Sequence, residues 1–148
     1  PKDHLRLWIY HLALNSIEAE HYPRTSILSA LHPNREKPFL WEYSPVEKSK
    51  EVLKELLMKY WKGLKKPLHF FPESSWSYIS ELQKRGKDKE DALRVARNKW
   101  KGSDFSRGEV EDPYFKLCFG SIDPFDKEFQ ELTIEVLTPL LKHQKEIS

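Results

Sequence analysis

A series of amphipathic stretches, each bounded by residues that start or stop helices, constrains the fold of this chain most strongly. The first stretch is LRLWIYHLAL, residues 5–14, and its apolar side chains recur at helical spacing: Leu5, Trp8, Ile9 and Leu12. This spacing predicts a helix from about Asp3 to Ile17. Because an apolar helix face must be buried, we expect other parts of the protein to pack against it.

The second helix is predicted from Ser44, Pro45 and Glu47, which match a capping box with proline at the first helical position. It is expected to end at Gly63, where glycine favours a helix stop. Its lysines are interpreted as a solvated face. Its apolar side chains form one stripe, which we expect to face the core: Leu53, Leu56, Leu57, Tyr60 and Trp61.

Four more helices follow from capping residues. Their predicted starts are Ser74 or Ser75, Asp88, Asp112 and Asp123, and proline follows each of the last two. The predicted ends of the first three lie at or before glycine: Gly86, Gly102 and Gly120. Pro139 is expected to bend the last helix or to thin its final turns.

Residues 21–44 predict a β-hairpin. Thr25–Leu31 and Phe39–Tyr43 have the composition of strands, and HPNREKP between them has the residues of a turn. A second short extended piece is expected at Leu68–Phe71, between two prolines. The sequence therefore predicts a helix-rich α+β domain in which a small β-hairpin packs on several helices.

Charge is unevenly distributed along the chain, although the formal net charge is only +2. Residues 84–101 carry eight basic and three acidic side chains, whereas residues 104–135 carry nine acidic and three basic ones. Arg94, Arg97 and Lys101 share one face of a predicted helix and are candidate contacts to DNA phosphates. A solvated helix face is an equally good interpretation.

An acidic cluster at Glu109, Glu111 and Asp112 has two interpretations. It could bind a divalent cation, or it could cap the helix at Pro113, since carboxylates stabilise a helix N-terminus. The capping interpretation is favoured.

Motifs for catalysis are missing from the sequence. No acidic residue has lysine two positions later, so the (D/E)-x-K element of metal-dependent nucleases is absent. One cysteine and six scattered histidines form no zinc motif, and no phosphate-binding glycine motif occurs. We expect no catalytic residue, metal or cofactor, and Cys118, within YFKLCFG, is interpreted as a buried, inert thiol.

The single cysteine and the hydropathy also bear on location. A lone cysteine forms no internal disulfide, which favours a reducing compartment such as the cytoplasm. No apolar run approaches the roughly 20 residues of a membrane span, so we expect no membrane association.

Three stretches, in order, resemble the C-terminal domain of RecC, the gamma subunit of exodeoxyribonuclease V. They are LRLWIYHLAL, PLHFFPESSW at residues 67–76, and the region from Lys99 through RGEVEDPYFKLCFG to a long helix ending LTPLL. The resemblance implies a non-catalytic part of RecBCD, the helicase–nuclease that processes double-strand breaks. It implies RecB and RecD as partners, RecD docking as a role, and DNA reached through the assembled complex.

The resemblance also implies the C-terminal part of a degenerate PD-(D/E)xK nuclease-like fold. Active relatives carry Gln-x-x-x-Tyr on the helix after the catalytic strand, and the matching positions here are Arg6 and Tyr10. The catalytic strands would precede Pro1, so we expect residues 1–148 to be a single domain from the C-terminal end of a larger subunit. Truncation and degeneracy are both open as reasons for the missing (D/E)-x-K.

Four aromatic residues in or beside extended and turn segments are candidate docking residues: Trp41, Phe70, Phe71 and Trp76. The alternative is that they belong to the core, and we expect at least one of them to be substantially exposed. Other interpretations of the chain are a stand-alone helical interaction module or a weak nonspecific DNA-binding domain. A relationship to the AddB subunit is disfavoured, because one cysteine cannot supply the iron–sulfur cluster of such proteins.

Overall fold

The computed structural model describes residues 1–19, 21–31, 38–86 and 88–147. Its helices are α1 (Lys2–Asn15), α2 (Ser49–Gly63), α3 (Pro72–Leu82), α4 (Lys89–Lys101), α5 (Pro113–Phe119) and α6 (Lys127–His143). Its strands are β1 (Ser26–Ala30), β2 (Phe39–Tyr43), β3 (Gly102–Ser103), β4 (Ser106–Arg107) and β5 (Gln144–Glu146). The predicted helix-rich α+β class is confirmed, whereas the nuclease-like fold stays a prediction.

The chain divides into two compact units. We call Lys2–Trp61 with Pro139–Ser148 the sheet unit, and Lys62–Thr138 with Pro1 the aromatic unit. The expectation that residues 1–148 act as a single domain stays a prediction.

The sheet unit contains the predicted β-hairpin. β1 and β2 pair antiparallel, with Ser26 opposite Tyr43 and Ala30 opposite Phe39. The predicted turn HPNREKP, residues 32–38, lies outside the described residues except for Pro38. β5, which the sequence did not predict, pairs antiparallel with the other edge of β2 and gives the strand order β1-β2-β5.

The aromatic unit is organised around the ring of Phe71, which is fully buried. The centroid of this ring lies 4.5 Å from the Trp100 ring of α4 and 5.1 Å from the Phe119 ring of α5. It also lies 6.1 Å from the Phe129 ring of α6. The contact with Trp100 is tilted, that with Phe119 is edge-to-face and that with Phe129 is stacked. Aromatic contacts of this kind add to the stabilisation from burial alone. Four segments of the chain therefore meet at one residue.

Two predicted helix starts were correct in detail. Asp88 caps α4, with its carboxylate accepting a hydrogen bond from the backbone N–H of Asp91 at 2.9 Å. Asp112 caps α5 by accepting from the N–H of Tyr114 at 3.0 Å, and Pro113 begins that helix. Both helices also end before glycine, at Gly102 and Gly120. Local capping chemistry is sufficient to set these boundaries.

Other predicted boundaries were wrong. α2 begins at Ser49 rather than beside Pro45, because the Ser44 hydroxyl that was expected to cap it donates instead to the carbonyl oxygen of His143 at 3.3 Å. α3 begins at Pro72, two or three residues before its predicted start at Ser74 or Ser75. α6 begins at Lys127, and the Asp126 carboxylate accepts from the N–H of Phe129 at 3.0 Å.

Two short segments complete the description of the extended backbone. Leu68–Phe71 was predicted to be extended: Phe71 has extended backbone angles (φ −125°, ψ 110°), although the segment belongs to no strand. Residues 102–107 form the short β3–β4 hairpin, which the sequence did not predict. Gly102 joins α4 to this hairpin at a φ of 76°, in the left-handed region that glycine adopts without strain. The hairpin was missed because each of its strands has only two residues.

Candidate docking surface

The four predicted docking aromatics are divided between the two units: Trp41 lies in the sheet unit and the other three lie in the aromatic unit. Phe71 is fully buried at the centre of the aromatic unit, so its assignment as a docking residue is corrected to a core residue. Phe70 and Trp76, in the same unit, are half-buried. Trp41 is half-buried in the sheet unit, where its ring stacks on that of Phe39 with centroids 5.4 Å apart. The expectation that one of the four would be substantially exposed was wrong.

Several exposed apolar side chains lie next to one another on α2. Leu57, Met58, Tyr60 and Trp61 are 58%, 63%, 64% and 60% exposed. They were predicted, apart from Met58, as part of the inward stripe of this helix, and only Leu53 and Leu56 of that stripe are half-buried. The helical period was therefore read correctly, but the width of the buried face was overestimated.

Lysines dominate the sequence around the C-terminal end of α2. No acidic residue occurs between Glu55 and Glu73, whereas four lysines do: Lys59, Lys62, Lys65 and Lys66. In the aromatic unit, the Glu128 carboxylate lies 3.3 Å from the Lys62 Nζ and 3.0 Å from the Lys66 Nζ. The hydrogen bond from Lys66 is the main reason that the pKa of Glu128 is lowered. One carboxylate is thus paired with two ammonium groups.

The three candidate DNA contacts lie on α4, and two of them are already engaged. The Arg94 guanidinium pairs with the Asp91 carboxylate at 2.7 Å, and that of Arg97 pairs with Asp123 at 2.9 Å. Lys101 is exposed and has no ion pair among the described residues. A phosphate approaching this face would therefore compete with two protein carboxylates.

The acidic cluster is used for capping. Glu109 accepts hydrogen bonds from the N–H groups of Glu73 at 3.0 Å and Ser74 at 2.8 Å, at the start of α3. Asp112 caps α5, and the Glu111 carboxylate accepts from the Arg107 guanidinium at 3.0 Å. The predicted capping of the helix at Pro113 is thus confirmed for Asp112 alone, because Glu109 caps α3 and Glu111 bonds to Arg107. Among the described residues, no three potential ligands gather as a metal site.

Cys118 is exposed, so the predicted burial of this thiol was wrong. The apolar neighbours that suggested burial point in two directions: Phe119 is buried in the core, whereas Leu117 is 85% exposed. Because α5 is only seven residues long, one short apolar motif contains residues of its buried face and residues of its exposed face.

Two histidines, His4 and His11, form hydrogen bonds within the sheet unit, and His4 is only partly buried. The Nδ1 of His4 lies 2.7 Å from the Tyr43 hydroxyl, and burial is the first cause that lowers the pKa of His4 to about 4. His11 is fully buried, and its Nε2 donates to the carbonyl oxygen of Ser44 at 3.0 Å. Burial likewise lowers the pKa of His11. Both rings are therefore held neutral as structural hydrogen-bonding groups.

The fold places this chain among helix-rich α+β proteins, and its helix α2 presents an exposed apolar face. A family model described as the RecC C-terminal domain matches residues 1–83, more than half of the 148 residues. The chain belongs to the RecC C-terminal domain family, as the sequence resemblance predicted. No curated protein matches the chain.

Family membership implies involvement in the RecBCD complex, and with it in DNA repair. The match covers α1, both strands of the hairpin, α2 and α3. It therefore includes the exposed face of α2, whereas α4 and its basic residues lie outside the matched range. Within the described residues, no helix has the length and apolar character needed to cross a membrane.

Proposed function

We propose that this chain is a non-catalytic assembly domain of RecBCD that holds RecD and supports DNA handling during double-strand break repair. The observation that carries the proposal is the match of residues 1–83 to the RecC C-terminal domain. RecB and RecD are the partners in this proposal, DNA is reached through the assembled complex, and the site of action is the cytoplasm.

The arrangement of carboxylates supports a structural rather than a catalytic role. Glu109 and Asp112 accept backbone hydrogen bonds at helix starts, and Glu111 is bound to Arg107. A carboxylate engaged in this way would have to break its cap before it could bind a metal ion. The chain also carries no (D/E)-x-K sequence.

The proposal is tested by assembling RecBCD with the complete parent subunit and with a version that lacks this domain. We expect the version without the domain to lose RecD on size-exclusion chromatography while it keeps RecB. Full retention of RecD without the domain would contradict the proposal.

The non-catalytic part of the proposal has its own measurement. The purified chain is incubated with linear duplex and single-stranded DNA in magnesium or manganese, and no degradation is expected. Degradation that persists after repurification and disappears when a residue of this chain is substituted would show catalysis.

A further inference from the structure

We propose that the exposed face of α2 is the docking surface of this domain, and that its partner is a protein subunit presenting an apolar groove rimmed by carboxylates. This inference rests on the proposed function. We define the α2 docking face as Leu57, Met58, Tyr60 and Trp61. It differs from the docking residues that the sequence suggested, and it is confined to one helix.

The spacing of these residues makes them one contiguous patch. Leu57 and Trp61 are four residues apart, and Tyr60 lies three residues after Leu57, so their side chains are neighbours on the helix surface. Each is 58–64% exposed, whereas a solvent-facing helix surface normally carries polar side chains. Tryptophan, tyrosine and methionine are enriched at the centres of protein interfaces. The composition therefore matches an interface core.

Charge at the C-terminal end of the helix indicates the chemistry of the partner. Four lysines and no acidic residue lie between Glu55 and Glu73, and Glu128 is shared by two of those lysines. Lys65 is exposed and has no ion pair among the described residues, and the same holds for Lys54, one turn before the patch. Complementary potentials favour association, so the partner should place carboxylates beside these lysines.

A protein partner fits this surface better than single-stranded DNA. Bases stack on flat aromatic rings, whereas Leu57 and Met58 supply about half of the patch with flexible aliphatic surface. An apolar groove, by contrast, can bury the aliphatic and aromatic side chains together.

The experiment uses the full-length parent subunit and RecD as the probe. The variant Tyr60→Ala/Trp61→Ala removes both rings, and Tyr10→Ala is the matched control, because Tyr10 is also 64% exposed on a helix of the sheet unit. Truncation of interface anchors typically costs 2 kcal/mol or more, so we expect RecD affinity to fall by about 30-fold or more in the double variant. The control should retain the parent affinity.

A second variant tests the charge complementarity separately. Lys54→Glu/Lys65→Glu changes two exposed side chains without ion pairs among the described residues, so the fold should be unaffected. We expect this variant to weaken RecD binding at low salt, and less so at about 0.15 M, where charges are screened within about 8 Å. If circular dichroism shows that the double aromatic variant is misfolded, RecD binding by the lysine variant decides whether the α2 docking face is used.

The outcomes separate this inference from the proposed function. If deletion of the domain releases RecD but both variants bind it like the parent, the α2 face is not the docking surface and the proposed function stands. If the deletion retains RecD, the proposed function fails and the inference fails with it. If the aromatic variant retains RecD but loses affinity for oligo(dT), the face binds nucleic acid and the inference is overturned.

Discussion

The sheet unit and the aromatic unit have cores of different chemistry. In the sheet unit, buried polar side chains join segments that lie far apart in sequence. Asn15 donates to the carbonyl oxygen of Arg24 at 3.1 Å and accepts from the N–H of Val46 at 3.1 Å, which ties the end of α1 to both flanks of the hairpin. His11 bonds to Ser26 and Ser44 in the same way.

In the aromatic unit, the core consists mainly of aromatic rings. The core cluster contains six aromatic side chains that are less than a tenth exposed: Phe71, Tyr78, Trp100, Phe119, Phe125 and Phe129. Of these six, Tyr78 alone carries a hydroxyl group. Rings supply a large apolar area, whereas directional hydrogen bonds fix which segments are neighbours. We therefore expect the stability of the sheet unit to respond to protonation and that of the aromatic unit to respond to loss of side-chain volume.

The largest effect is expected from Phe71→Ala in the aromatic unit. Removing a fully buried phenyl ring typically costs about 3–5 kcal/mol, because the lost burial is joined by the energy of a cavity. Phe70→Ala is the control, since its half-buried ring should cost much less. Urea unfolding of the purified chain measures both.

Hydrogen exchange then tests whether the two cores are separate. In Phe71→Ala we expect amides of α3 and α4 to exchange faster, while those of β2 keep their protection. Equal acceleration in β2 would show that both units unfold in one cooperative step, and the comparison between them would no longer hold.

A smaller effect is expected from pH, and it should appear first in the sheet unit. The pKa of His4 is lowered from 6.5 to about 4 in the folded chain, so the unfolded chain binds more protons between these values. Stability is therefore complete above pH 6.5 and falls as the pH drops toward 4. Because the ring is only partly buried, we expect a loss on the order of 1 kcal/mol after solvent screening.

The aromatic unit should respond in a lower pH range. There, the groups with lowered pKa values are Asp126 and Glu128, whose unperturbed values are 3.8 and 4.5. Their contribution is present above these values and is lost only as the pH falls below them. When amide exchange is measured at pH 7 and at pH ~5 and corrected for intrinsic rates, the amides of β2 should therefore be less protected at the lower pH. The protection of the amides of α4 should not change. His4→Gln should flatten the response, His21→Gln should not, and equal responses in both units would contradict the assignment.

The sequence predicted helix boundaries best where the signal was local. Asp88, Asp112 and the glycines after α4 and α5 act within one turn of chain, so capping chemistry was sufficient. Ser44 failed as a cap because it bonds to His143, a residue at the other end of the chain. β5 was missed for the same reason, since three polar residues become a strand only beside β2.

The candidate site was predicted less well than the fold. Helical periodicity gave the apolar stripe of α2, but it could not say which part of a wide stripe other residues cover. Aromatic type alone also failed to separate Phe71, which is buried, from its neighbour Phe70, which is half-buried. Both distinctions depend on long-range packing.

The smallest effect is expected for DNA binding, and it compares α4 of the aromatic unit with α2. Arg94 and Arg97 are neutralised by Asp91 and Asp123, whereas Lys101 has no ion pair among the described residues. We therefore expect weak, salt-sensitive binding of the purified chain to fluorescent duplex. Lys101→Ala should reduce the slope of log affinity against log salt by roughly 1, and Arg94→Ala should change it less.

Lys54→Ala on α2 completes this comparison, because Lys54 likewise has no ion pair among the described residues. If α2 docks on protein while α4 meets phosphates, Lys54→Ala should leave the salt slope unchanged. The titration is run between about 0.05 and 0.15 M salt, where screening lengths fall toward 8 Å. A larger slope change for Lys54→Ala than for Lys101→Ala would show that α2, and not α4, makes the phosphate contacts. Tight, sequence-selective binding at the higher salt would contradict a purely phosphate-directed interaction.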